Sequence, residues 1–252
     1  MSHDHSPDVA IHFSQEFWDD RYRSADRLWS GQPNPQLVAQ AADLTPGEAL
    51  DVGCGEGADA IWLASRGWTV TAVDISAVAL ERAAGHAAAR GDEIERGISW
   101  RQADLRSWDP GPERYDLVSA QFMYLPAAEL ESLHRRMAAT VRPGGTLLVV
   151  LHHPDSMHAG PASHAGPGSP PGVESPGSPD TPAAAGSDDG LASTATGQAL
   201  LALGAEPHRL AAMLDPGAFE ILVTDTISRQ MTDRDGHPTT AIDTVLRATR
   251  RS

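Results

Sequence analysis

The chain has no lysine: all 19 of its basic residues are arginine, set against 34 acidic ones, for a net charge of −15 over 252 residues. That absence excludes Schiff-base chemistry and a phosphate-gripping lysine loop. A surface this acidic also repels a nucleic-acid backbone, whose binding rests on neutralisation by Lys and Arg. Cysteine is nearly absent too. Cys54 stands alone, so neither an internal disulfide nor a cysteine zinc site can form, and a solitary thiol fits a reducing, cytoplasmic setting. Long apolar runs are missing. The longest, Leu147 to Leu151, is far short of the roughly 20 residues of a membrane helix, and Met1 to Ala10 has no apolar stretch of the kind a signal peptide needs.

What is present is an alternation of short apolar runs and helical stretches from Ala49 to Leu151, the pattern of repeated βαβ units and a parallel sheet. Strands are expected at Ala49–Gly53, Thr69–Ile75, Ile98–Asp104, Tyr115–Gln121 and Gly145–His153. Helices fit between them at Ala58–Arg66, at Ser76–Arg90 with Ser76 as N-cap, and at Ala127–Thr140, which Arg142-Pro143-Gly144 ends. The fold class is therefore α/β, a doubly wound and mostly parallel sheet.

Composition then shifts. Residues 154–190 hold 8 Pro and 7 Gly with almost no large apolar side chain, a stretch unable to offset its own ordering entropy by burial. Residues 154–200 are accordingly expected to be a disordered insertion. Beyond it come a short helix at Pro207–Leu214 and two strand-like runs, Phe219–Arg229 and Thr240–Thr249, around Asp235-Gly236, a C-terminal antiparallel hairpin. Ahead of the sheet, Phe13, Phe17, Trp18, Tyr22 and Leu28 recur at helical spacing and predict an amphipathic helix lying across a ligand. The whole reads as one domain over 1–252: a polar tail to residue 10, a helical lid over 11–48, a cofactor-binding core over 49–153, the insertion, and a closing helix and hairpin from 201.

Between the first strand and helix runs Leu50-Asp51-Val52-Gly53-Cys54-Gly55-Glu56-Gly57-Ala58, whose glycines let backbone approach a ligand. Asp74 ends the second strand, 21 residues after Gly53, where it can accept from ribose hydroxyls. Gly53, Gly55 and Ala58 also satisfy a loose dinucleotide pattern. Three features favour another cofactor. Asp51 and Glu56 would repel a pyrophosphate but favour a ligand with an amine and a sulfonium, as in S-adenosylmethionine. Asp104 closes the third strand in place to meet an adenine amino group, and the terminal hairpin is not needed by a dehydrogenase.

The Leu50–Gly57 loop, Val73-Asp74-Ile75-Ser76, Gln102-Ala103-Asp104-Leu105, Tyr115-Asp116-Leu117-Val118 and Arg142-Pro143-Gly144-Gly145 together resemble class I S-adenosylmethionine-dependent methyltransferases. Phe17-Trp18-Asp19-Asp20-Arg21-Tyr22 with Leu28-Trp29 is similar to the tellurite-resistance and thiopurine methyltransferase-like group. The resemblance implies that Asp51, Gly53 and Gly55 hold the methionine end, Asp74 the ribose, Ile75, Asp104 and Leu105 the adenine, and that Trp29 closes over the cofactor.

His152 and His153 end the fifth strand at the edge where such sheets place ligands, and Tyr124 follows the fourth; these three are the candidates for proton removal or acceptor contact. Cys54 and Asp116 read as structural, and no metal site is expected. The expected activity is methyl transfer to a small-molecule acceptor, a thiol, chalcogen oxyanion, hydroxyl or amine. The competing readings are an NAD(P)-dependent oxidoreductase and a catalytically silent S-adenosylmethionine-binding protein.

Overall fold

The computed structural model describes residues 13–111, 115–123, 125–158, 206–232 and 238–252. The elements in chain order are α1 (Gln15–Arg23), α2 (Pro35–Ala41), β1 (Glu48–Val52), α3 (Ala58–Ser65), β2 (Thr69–Asp74), α4 (Ala77–Ala88), α5 (Asp92–Arg96), β3 (Ile98–Gln102), β4 (Tyr115–Gln121), α6 (Ala127–Thr140), β5 (Val141–His152), a 3₁₀ turn (Pro154–His158), α7 (Pro207–Ala211), β6 (Phe219–Thr232) and β7 (Pro238–Arg250). The seven strands form one sheet in the order β3-β2-β1-β4-β5-β7-β6. β1 to β5 pair in parallel, while β7 runs antiparallel between β5 and β6. The expected α/β class and terminal hairpin are both realised, and it is the second strand of the hairpin that joins the sheet.

Burial on both faces explains why the strands read as continuous apolar runs rather than alternations. On one face Leu50, Val52, Leu147, Val149 and Leu151 pack with Leu130, Leu133 and Met137 of α6. On the other, Ala49, Leu148 and Val150 meet Ala60, Ile61 and Leu63 of α3 and Leu80 of α4. Each fully buried leucine contributes about 1.5 to 3 kcal/mol by leaving water, so the sheet is a rigid base for the loops at its carboxyl edge.

Capping sets two of the helix starts, the one at Ser76 as expected. Ser76 Oγ accepts from Ala79 N, and Ser14 Oγ does the same for Phe17 N at the head of α1. Two short helices escaped the periodicity. α2 begins with Asn34 as N-cap and Pro35 in its first turn, and α5 is too short to show a repeating face. β5 starts at Val141 rather than Gly145: a register shift between Tyr115 and Leu117 of β4 absorbs Pro143 and Gly144, the latter at φ 78°, inside the strand. Asp116 braces this join, accepting from Glu48 N (2.8 Å) and pairing with Arg142 (3.0 Å), which is the structural role expected for it. Of the expected insertion, residues 154–158 form the 3₁₀ turn, and 159–200 lie outside the described residues.

Candidate active site

A cavity of about 410 Å³ opens along the carboxyl edge of the sheet, within the range of small-molecule sites of about 300 to 1,000 Å³. Its wall follows the strand order. Asp104 and Leu105 come from beyond β3, Asp74 and Ile75 from the end of β2, residues 53–59 from the glycine loop, Gln121, Phe122 and Met123 from the end of β4, and Arg229 and Gln230 from β6. Trp18, Tyr22 and Trp29 close it from the N-terminal side.

The loop turns sharply because Gly53, Gly55 and Gly57 all take positive φ, at 75°, 51° and 83°. Gly55 and Gly57 also lack room for a side chain. A Cβ on Gly55 would stand 3.0 Å from the Tyr22 hydroxyl, and one on Gly57 would meet Trp100 at 2.7 Å and Ala83 at 2.8 Å. Asp74 fastens the loop to the next helix, its two carboxyl oxygens accepting from Gly55 N (2.8 Å) and Ser76 N (2.9 Å). Each oxygen keeps a second lone pair for a ligand hydroxyl.

Glu56 does something other than expected. Its carboxylate is buried and accepts from Leu28 N and Trp29 N, both at 3.1 Å, and from Arg82 Nη1 at 3.1 Å. Arg82 offsets its charge, although Glu56 still lines the cavity. Its work is to pin the segment that carries Trp29 onto the loop. Trp29 Nε1 in turn donates to the Tyr22 hydroxyl (3.0 Å), and burial pushes the Tyr22 hydroxyl well above its ordinary pKa, so it stays neutral. The helix α1 is anchored as well. Asp19 accepts from Ser76 Oγ (2.6 Å), Val78 N (3.3 Å) and Gln15 Nε2 (3.1 Å). Burial raises the Asp19 carboxyl, but these hydrogen bonds outweigh it and hold the group below the usual carboxylate range.

Beneath and beside the loop lies acid. Asp51 sits under the cavity wall rather than on it, 2% exposed, with Oδ2 lacking any hydrogen-bond partner. Asp59, in the first turn of α3, lines the cavity and accepts from Asn34 N at 2.6 Å. Desolvation lifts Asp59 to about 6 and raises Asp51 and Asp74 as well, the charges of Asp59 and Asp74 adding to the effect on Asp51. On the neighbouring strand, Gln121 Oε1 is a second buried acceptor without a donor. A cation bearing N–H groups fits these carboxyls and unsatisfied oxygens. A diphosphate does not.

Asp104 lines the cavity as expected, but Arg106 grips it with a fork of hydrogen bonds at 2.6 to 3.1 Å, which holds its carboxyl below the usual range. Neither histidine reaches the cavity wall. His153 Nε2 meets Glu206 at 3.0 Å and its Nδ1 accepts from Asp155 N, so its ring joins the start of α7 to the 3₁₀ turn. His152 stacks behind Phe122 at 4.2 Å between ring centroids, with Nδ1 3.6 Å from Asp243. Tyr124 lies outside the described residues. Cys54 is buried and burial drives its thiol pKa up, so it is held as a neutral thiol. Asp59 and Arg229 were not found from the sequence. The one signal for Asp59 was an acid in the first turn after the glycine loop, and Arg229 shows none, because an arginine in a strand reads as solvent-facing.

Residues 49–145 match the family model of a methyltransferase domain. Over 127 residues the chain is 30% identical to 2-heptyl-1-hydroxyquinolin-4(1H)-one methyltransferase of Mycobacteroides abscessus, covering 49% of this chain and 55% of that protein. Over 152 residues it is 28% identical to probable thiol methyltransferase 2 of Arabidopsis thaliana, covering 57% and 65%. The chain thus spans between about half and two thirds of these curated relatives. Two solved structures share its fold. One, concerned with conversion of a disulfide bond into a thioacetal group during echinomycin biosynthesis, superposes with a TM-score of 0.64 over 94% of this chain and 91% of that one at 22% identity. TehB from Haemophilus influenzae does so with a TM-score of 0.57 over 94% and 67% at 17% identity. The resemblance to methyltransferases is thereby borne out on residues 49–145, the segment that carries the glycine loop, Asp74 and Asp104.

Proposed function

We propose that this methyltransferase-like chain binds S-adenosylmethionine along the carboxyl edge of its sheet and transfers the methyl group to a small-molecule acceptor. The observation that carries the reading is the acidic, donor-poor wall at the loop: Asp59 on the surface, Asp51 beneath it, and the unpartnered oxygens of Asp51 and Gln121. When bound, the cofactor supplies an electrophilic methyl carbon on a sulfonium.

The chain's own residues have limited tasks. Asp74 receives the ribose hydroxyls on the lone pairs left by Gly55 N and Ser76 N. Ile75 and Leu105 flank the adenine, and Asp104 accepts from its amino group with the oxygen capacity that Arg106 leaves. Gly53 and Gly55 let backbone approach the methionine end, while Asp51 and Asp59 favour its ammonium. Trp29, held by Glu56 and Tyr22, excludes water over the site. Displacement at a methyl carbon needs alignment and dryness more than acid or base, so a cavity without a histidine on its described wall is adequate. His152 acts at most through Phe122.

Calorimetry with S-adenosylmethionine and with NAD(H) tests the cofactor: binding of the first and not the second is expected, and the reverse refutes the proposal. Turnover tests catalysis. Incubation with methyl-labelled cofactor and a panel of thiols, phenols, amines and chalcogen oxyanions should release S-adenosylhomocysteine, and binding without any release would leave a silent binding protein.

A further inference from the structure

The far end of the cavity, where β4 meets the terminal hairpin, differs in chemistry from the rest. Among the described residues of the cavity wall Arg229 is the one cation, on a wall it shares with Glu56, Asp59, Asp74 and Asp104. Its side chain is 16% exposed and its Nε donates to Asp243 Oδ2 at 2.9 Å, while Asp243, on β7, is wholly buried. The ion pair is therefore oriented, with the carboxylate inside the sheet and the guanidinium on the cavity.

The same carboxylate faces a second group. Asp243 Oδ1 lies 3.6 Å from His152 Nδ1. His152 and Arg229 both sit against one ring. The imidazole stacks on Phe122 at 4.2 Å and 17°, and the guanidinium carbon lies 5.4 Å from the Phe122 centroid. Phe122 is held at φ 50°, the one positive φ at a non-glycine among the described residues, a conformation costing about 1 to 3 kcal/mol that persists only where neighbours impose it. A buried charge pair is not a cheap way to stabilise a sheet, since apolar residues of similar volume serve as well or better. Here its effect is to fix a guanidinium beside an aromatic face and next to the apolar Met123 and Leu125.

We infer that this end of the cavity selects an acceptor that is planar, largely apolar and anionic, with its apolar body among Phe122, Met123 and Leu125 and its negative group against Arg229. The inference rests on the methyl-transfer reading for the word acceptor, but not for the binding itself. In a chain of net charge −15, with the four carboxyl groups of Glu56, Asp59, Asp74 and Asp104 on the same wall, Arg229 is the one described lining group whose charge attracts an anion. The ligand's orientation is thereby set as well as its charge.

The test titrates the full chain by calorimetry with 2-naphthoate and with its neutral isostere 2-naphthamide, and separately with S-adenosylmethionine. Naphthoate should bind about ten-fold tighter or more, the usual reach of one charge-assisted contact. R229Q should abolish that preference and leave naphthamide binding unchanged. Because R229Q strands the buried Asp243, the double variant R229Q/D243N, which removes both charges, is measured beside it and should behave alike. Equal binding of the two probes by the parent chain, binding of neither, or a preference that survives in the double variant overturns the inference. A naphthoate preference without S-adenosylmethionine binding overturns the cofactor proposal and leaves this inference standing. Cofactor binding without the preference does the opposite.

Discussion

Replacing Asp59 by asparagine should flatten much of the pH dependence of cofactor binding. In the free protein, desolvation lifts this carboxyl from 3.8 to about 6, about two units, or about 3 kcal/mol between its protonation states. Well below pH 3.8 it is neutral in both folded and unfolded chains. As pH rises through about 6 the folded chain must ionise it at a cost, so its contribution to stability is present in acid and lost on the way to neutrality. An ammonium placed beside it reverses the preference and returns the carboxyl toward its ordinary value. Affinity for S-adenosylmethionine should then rise about ten-fold per pH unit from 4 to 6 and level off above, a gain of up to about 100-fold. The window lies below the titration of the ligand's own amine, near 7.7 to 8.0 for an α-amino group. Calorimetry at pH 5 in two buffers of different ionisation enthalpy should register release of about 0.8 proton per ligand. Asp59→Asn keeps an oxygen for Asn34 N and should remove most of that release and flatten the profile. The residual slope belongs to Asp51 and Asp74. Zero proton release by the parent chain, or profiles that superimpose for parent and variant, would refute the reasoning.

Two further outcomes follow from the way the N-terminal segment is held. Glu56→Ala leaves Leu28 N, Trp29 N and a largely buried Arg82 without their acceptor and should cost about 2 to 4 kcal/mol in urea unfolding, with Glu56→Gln losing about half as much. Stability unchanged in both would show that the carboxylate holds nothing. Asp19→Ala releases α1 from Ser76 and should expose Gln15–Arg23 to limited proteolysis and weaken cofactor binding while the unfolding midpoint of the sheet stays put. Cleavage no faster than in the parent chain would count against the anchor.

What was legible in the sequence was what local spacing encodes. Tyr115–Gln121 and Ala127–Thr140 match their elements end to end, because one is an apolar run between breaks and the other a clean helical period. The glycine loop and Asp74 were found for the same reason, as a turn and a strand end at fixed separation. The partners of Glu56 were not legible because Leu28 and Arg82 are 28 and 26 residues away, and nothing near Glu56 records them. His153 was misplaced since its position at a strand end is local, whereas its commitment to Glu206 spans 53 residues. β5 was begun four residues late, as Pro143-Gly144 signals a break wherever a facing bulge is not known.

The bond between His153 and Glu206 has a bearing on how the sequence is free to vary. It ties the end of β5 to the start of α7 at the rim of the sheet, across a separation of 53 residues. Doubling such an interval raises the closure entropy by only about 0.6 kcal/mol, so a change in its length alone loosens the tie between β5 and α7 very little.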